Sequence, residues 1–279
     1  MTKIKWRKRY KTLMDGLQTI LGIRKAGFFA PYRFAASVPR KPPHYVAFEE
    51  LFRRHEAEFE SFLNRIAENA DALREAIAGS LASVWSRGAF ESVDGAAAFT
   101  VIQDARPKRI IEVGSGASTH IMAAAIRSAN LDCAIRCIDP VPRKDISELG
   151  VNWSAEVLST EHVPLFAELE AGDIAFFDSS HLLMQGTDVD IITNRLLPVL
   201  KPGVLAHFHD VFLPAPYPDA WRLRQYNEQL ALSGWLLGGV FRPVFASAYA
   251  GAQMAARLRT ALEHVPGENA SGGSLWMRR

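Results

Sequence analysis

Only two cysteines, Cys133 and Cys137, occur among the 279 residues. Four residues apart and without a nearby histidine, they exclude a disulfide scaffold and make a poor metal site. Inert thiols in a reducing compartment, the cytoplasm, are the expectation. No run of 18 or more apolar residues exists, which excludes a membrane-spanning helix. The apolar stretch 12–23 is interrupted by Asp15 and Gln18 and lacks a convincing cleavage site, so no signal peptide is expected. None of the six tyrosines has a lysine four positions on, and the one glycine-rich turn lacks its third glycine. Both absences weigh against a nicotinamide-dependent oxidoreductase. There is no internal repeat and no low-complexity tract.

Strong net charge is missing too. The formal balance is +2, but it is unevenly spread. Residues 1–25 hold eight Lys/Arg against one Asp, a net +7, and the remainder holds 24 against 29, a net −5. A mildly acidic body argues against a catalytic domain that clamps nucleic acid. In the arm, Trp6, Leu13, Leu17, Ile20, Leu21 and Ile23 interleave with the charges. That pattern suits a solvated basic helix, and it suits peripheral contact with an anionic membrane through residues 1–25.

Residues 26–45 are rich in aromatics and prolines and read as an irregular leader or lid. Residues 46–78 carry Phe48, Leu51, Phe52, Phe59, Phe62, Leu63, Ile66, Leu73 and Ile77 at helical spacing. They predict one long helix that packs on the main domain or on a second subunit, leaving a homo-oligomer open. The expected division is an N-terminal segment 1–94 and a domain 95–279.

From residue 95, strands and helices alternate. Strands are expected at 109–113, 134–138, 156–158, 173–177, 204–208, 240–246 and 274–277. Helices are expected at 96–105, 118–128, 164–169, 188–200, 220–236 and 252–262. Pro243 suggests an edge position for the sixth strand. Such alternation predicts an α/β fold with a doubly wound, mostly parallel, Rossmann-like sheet, whose ligands lie beyond the carboxyl ends of the strands.

The residues at those ends carry the chemistry. After the first strand comes Gly114-Ser115-Gly116, where Gly114 and Gly116 permit close approach, and Ser118 or Thr119 would cap the next helix. Asp139 ends the second strand, where a carboxylate can hold a ribose diol. The fourth strand ends in Asp178-Ser-Ser-His181 and the fifth in His207-Phe-His-Asp210. Asp178 and Asp210 would share a divalent cation with His209 or His181 nearby, oxygen ligands favouring Mg²⁺ and histidine a transition metal. His181 would take a proton from a substrate hydroxyl. His207 alternates with Phe208 and can simply point into the sheet packing.

These segments together resemble the class I S-adenosylmethionine-dependent methyltransferases: Glu112-Val-Gly-Ser-Gly-Ala-Ser, Ile138-Asp-Pro, Phe177-Asp-Ser-Ser-His, Leu200-Lys-Pro-Gly-Val and His207-Phe-His-Asp. The likeness spans about residues 95–279. It is closest to a bacterial methyltransferase-domain branch similar to metal-dependent sugar O-methyltransferases. It implies S-adenosylmethionine as cofactor, with its methionine end over Gly114–Gly116, its amino group near Glu112 and its ribose on Asp139. Ser159 and Thr160 would flank the adenine, and the sheet would have the order 3-2-1-4-5-7-6. It also implies a Mg²⁺ site at Asp178, His209 and Asp210, with Asp178 and His181 as catalytic residues. The chain departs from that branch at His209, where an acid is usual, and this leaves a metal-free base mechanism open.

The expected activity is O-methylation of a saccharide or small metabolite, with Phe29, Tyr32, Arg33, Tyr217 and Trp221 walling the acceptor pocket. The alternative is a cofactor-binding scaffold without catalysis.

Overall fold

A computed structural model of the chain describes residues 3–28, 30–85, 90, 92–267 and 272–279. By internal compactness the chain divides into Met1–Pro42 and Pro43–Arg279. The expected boundary near residue 94 falls inside the second unit. In the first unit, a helix runs over Lys3–Ile20 and a short 3-10 turn over Ala35–Ser37.

The second unit is built on a seven-stranded sheet. Its strands are β1 (Arg109–Val113), β2 (Ala134–Ile138), β3 (Asn152–Ser154), β4 (Ile174–Phe177), β5 (Leu205–Phe208), β6 (Arg242–Ala246) and β7 (Leu275–Arg278). The order is β3-β2-β1-β4-β5-β7-β6, as the sequence resemblance implied. β1 to β5 are mutually parallel, and β7 runs antiparallel between β5 and β6. The central strands are covered on both faces: all of Ile174–Phe177 and Leu205–Phe208 is buried, as a sheet flanked by helices requires. β6 is the edge strand, where Pro243 costs no ladder bond.

Three expectations about elements are corrected. The third strand lies at Asn152–Ser154, not 156–158, because a short strand with half-exposed residues leaves little apolar signal. The long helix 46–78 is three helices, Val46–Arg53, Glu56–Glu68 and Ala70–Ala78. Its apolar periodicity survives the breaks because each segment faces the same core. Phe59 and Phe62 pack on Phe245, and Phe52 on Tyr249, so these helices cover β6 and the helix beyond it. The helix expected over 220–236 is a 3-10 turn, Asp219–Arg224, followed by the short helices Glu228–Ala231 and Ser233–Leu237.

Among the described residues no helix is long and apolar enough to cross a membrane.

Candidate active site

The carboxyl edge of β1, β2 and β4 opens on a cavity of about 210 Å³. Gly114, Ser115, Asp139, Arg143, Leu158, Asp178 and Asp188 are among the residues that line it. Gly114 sits at φ 79°, and a Cβ there would strike the Asp178 carbonyl. The glycine is therefore required for the turn after β1 to cross the end of β4. The Ser115 N–H and hydroxyl both donate to Asp139 Oδ2, at 2.6 and 3.0 Å, and the Val141 N–H donates to Oδ1 at 2.8 Å. Asp139 thus ties the first two strand-end loops together while facing the cavity.

Glu112 does not face it. Its carboxylate is wholly buried behind the turn and accepts from the Ser118 and Thr119 hydroxyls at 2.6 Å each and from Cys137 at 3.3 Å. Burial pushes its carboxyl up to about 7 despite these donors. Of the two hydroxyls read as helix caps from the sequence, that of Ser118 is spent on this glutamate, whereas Thr119 also takes part in the helix N-cap. Gly116 gives its N–H to Thr119 Oγ1 at 2.9 Å and lies outside the cavity lining. The loop rim expected at Ser159 and Thr160 is formed by Val157 and Leu158, and Ser159 instead caps the 3-10 turn Thr160–His162.

Beside the cavity, the ends of β4 and β5 bring four predicted residues into one ring. His181 Nε2 lies 3.3 Å from Asp178 Oδ1 and 3.4 Å from Asp210 Oδ2. His209 Nδ1 lies 3.6 Å from Asp178 Oδ1 and 3.6 Å from Asp210 Oδ1. Each histidine is backed by a buried carboxylate from elsewhere. Glu228 Oε2 is 2.7 Å from His181 Nδ1, and Asp94 Oδ2 is 3.4 Å from His209 Nε2. Asp94 also accepts from the Gly273 and Ser274 N–H groups, so it locks the loop before β7 to the helix Val93–Ala105. His181 and Asp210 adopt left-handed backbone, φ 61° and 57°, which aims both side chains back across the strand ends.

The electrostatics follow from burial and pairing. Burial would lower the His181 imidazole, but Asp178 and Glu228 overcome it and lift it to about 9. Burial opposes charge on His209 as well, yet Asp178 and Asp94 hold it well above the usual histidine range. Asp178 stays well below the usual carboxylate range because the two imidazoles outweigh its desolvation. Asp210 goes the other way, raised by burial against the pull of both histidines. Burial and the charge on His209 push the His207 imidazole well below the usual histidine range. It stacks on Phe176 at 3.8 Å and meets Ser274 Oγ at 2.9 Å, so it belongs to the packing.

The divalent cation expected at Asp178, His209 and Asp210 finds no support in this geometry. Among the described residues no group of three or more His, Cys, Asp or Glu side chains is arranged to hold a metal ion. The physical reason is that both nitrogens of His209 face carboxylates. Carboxylates on both sides favour the protonated imidazole, a form with no lone pair to give a metal.

Sequence reasoning missed Glu228, Asp94 and Arg143. It also missed Tyr226, whose ring lies 4.5 Å from that of His181. Tyr226 joins Phe212, Tyr217 and Trp221 in a set of edge-on aromatic contacts. Arg224 stacks over Trp221 at 3.8 Å and approaches Asp210 Oδ2 at 3.9 Å. Of the other expected pocket residues, Phe29 lies outside the described residues, and Tyr32 and Arg33 belong to the first unit.

No curated protein matches the chain at a significant level. Among solved structures, the chain is similar to a Klebsiella pneumoniae protein assigned as an O-methyltransferase. Identity is 15%, coverage 77% of this chain and 88% of that one, and the TM-score 0.41. It is also similar to the plantazolicin methyltransferase BamL, solved with a triazolic desmethyl analogue and SAH. There identity is 13%, coverage 83% and 99%, and the TM-score 0.39. Likenesses this distant carry no argument. The informative match is to a family model described as a methyltransferase domain, over residues 111–211, which runs from β1 to just past β5 and takes in every strand end described above. Residues 111–211 thus match a methyltransferase domain, within a sheet of the order β3-β2-β1-β4-β5-β7-β6 that the resemblance to class I S-adenosylmethionine-dependent methyltransferases implied.

Proposed function

We propose that the protein methylates a hydroxyl group on a small metabolite or saccharide, with His181 as the proton acceptor. The observation that carries this reading is the 2.7 Å contact between His181 Nδ1 and buried Glu228, which turns Nε2 toward Asp178 and Asp210 beside the cavity. A histidine oriented by a carboxylate on one nitrogen and presenting the other is the arrangement general-base catalysis uses.

The cavity suits the cofactor. Asp139 faces it as a ribose partner would, and Gly114 and Ser115 let a ligand approach the backbone. S-adenosylmethionine, when bound, supplies a methyl group activated on a sulfonium. Asp178 lines the cavity and stays ionised, so it favours a cationic centre there. Alignment is the main contribution a protein makes to an in-line displacement.

His181 itself is 1% exposed, and Nε2 is closed to solvent. Asp210, with its side chain 15% exposed, is the more accessible neighbour. An acceptor hydroxyl would meet Asp210 first, and its proton would pass across the 3.4 Å gap to the neutral form of His181, which prevails above about pH 9. The aromatic side chains of Tyr226, beside His181, and of Tyr217 and Trp221, which pack on Tyr226, would hold a sugar face or a flat ring. No step is routed through a metal.

The test is His181→Ala. Loss of methyl transfer with S-adenosylmethionine affinity retained, measured by calorimetry, is the expected outcome. Unchanged turnover would remove His181 from the chemistry.

A further inference from the structure

The helix Lys3–Ile20 carries a stripe the methyl-transfer reading does not use. Trp6, Tyr10, Leu13, Met14, Leu17 and Ile20 recur at spacings of four, three, one, three and three, which puts them on one face about 120° wide. All six are exposed, Trp6, Tyr10, Leu13 and Ile20 by about 60%. Leu21 and Ile23, just past the helix end, are exposed further still. By position on the helix, Arg9 borders the stripe on one side and Arg7 and Lys11 on the other.

The single acid of this segment does not offset them. Asp15 is bound by Lys11 at 2.6 Å and by Arg24 at 3.1 Å, which hold its carboxyl below the usual range. The helix end is fixed rather than frayed: Gly22 takes φ 68°, and the Ile23 and Arg24 N–H groups return to the Gln18 carbonyl. The result is a capped helix with an apolar face and cationic borders.

We infer that this helix lies on the surface of an anionic lipid bilayer, its apolar stripe in the headgroup boundary and its arginines and lysines on lipid phosphates. A bilayer fits better than a second copy of the helix. Two such helices face to face would bring like-charged borders together, whereas anionic lipid neutralises them. A stripe ending in Trp and Tyr also matches side chains that favour the membrane interface.

The full chain should therefore float with phosphatidylcholine–phosphatidylserine vesicles of about 7:3 composition and not with phosphatidylcholine alone. Binding should fall about tenfold or more in the triple variant Arg7→Glu, Arg9→Glu, Lys11→Glu, and again in Leu13→Ser with Leu17→Ser. Both variants should keep the unfolding temperature and methyl transfer of the parent, so the test does not depend on the proposed chemistry. Equal binding to both vesicle types would overturn the inference. So would no binding to either together with a concentration-dependent dimer that the serine variant abolishes, which would assign the stripe to a second copy.

Discussion

His181 and Glu228 meet at 2.7 Å across 47 residues of sequence, and neither side chain reaches solvent. The contact joins the end of β4 to the first turn of the short helix Glu228–Ala231. It fixes which nitrogen of His181 faces the ring of carboxylates, and it raises the affinity of that imidazole for a proton.

Replacing Glu228 by Gln keeps the shape and removes the charge. His181 should then titrate below about 9. The rising limb of the pH–rate profile should move to lower pH, while the plateau rate falls about tenfold or more. A merely structural glutamate would lower the plateau without moving the limb, and a pH–rate series on both proteins separates the two.

The same imidazole should govern stability in alkali. Its folded-state value, about 9, lies above the ordinary 6.5. The protonated form is therefore favoured by folding, and its contribution is complete below about pH 6.5 and lost as pH rises through 9. The ceiling on that contribution is about 3 kcal/mol. Thermal unfolding followed from pH 6 to 10 should show a decline in this window that His181→Gln flattens. An equal decline in the variant would place the titrating group elsewhere.

Asp139 is expected to carry cofactor affinity. Asp139→Ala removes a group facing the cavity and also frees Ser115, whose N–H and hydroxyl it holds. S-adenosylmethionine binding measured by calorimetry should weaken about tenfold or more. Ser115→Ala, which deletes only the 3.0 Å hydroxyl contact, should cost much less. Equal losses would mean that Asp139 acts only through the loop.

Removal of metal should change nothing. Prolonged dialysis against EDTA is expected to leave methyl transfer intact, because both nitrogens of His209 face carboxylates, Asp94 on one side and Asp178 and Asp210 on the other. Activity lost on chelation and restored by Mn²⁺ or Zn²⁺ would make His209 a ligand and require its neutral form.

The sheet was legible because its strands are short, β-branched or aromatic runs with chemistry at their ends. Ile110, Ile111 and Val113 announce β1, and Ala175, Phe176 and Phe177 announce β4 just before Asp178. The ring at β4 and β5 was legible for the same reason: topology forces neighbouring strand ends together. Its outer members were not. Glu228 and Asp94 sit near helix starts, where a carboxylate reads as an ordinary favourable residue. Only the fold reveals that both are buried against histidines. Glu112 misled in the opposite sense: a carboxylate beside the glycine turn suggests a ligand, yet the pleat of β1 carries it behind the turn to Ser118, Thr119 and Cys137.

The left-handed backbone of His181 and Asp210 bears on how the site is kept. Every residue except glycine resists that conformation by about 1 kcal/mol, and here it falls on two side chains at the centre of the proposed chemistry. A chain under selection for stability alone would drift toward glycine or asparagine at both positions. Holding histidine and aspartate there sets local backbone preference against the placement of two functional groups. The surrounding contacts to Glu228, Asp178 and His209 are what keep that opposition from being resolved by a shift of the loop.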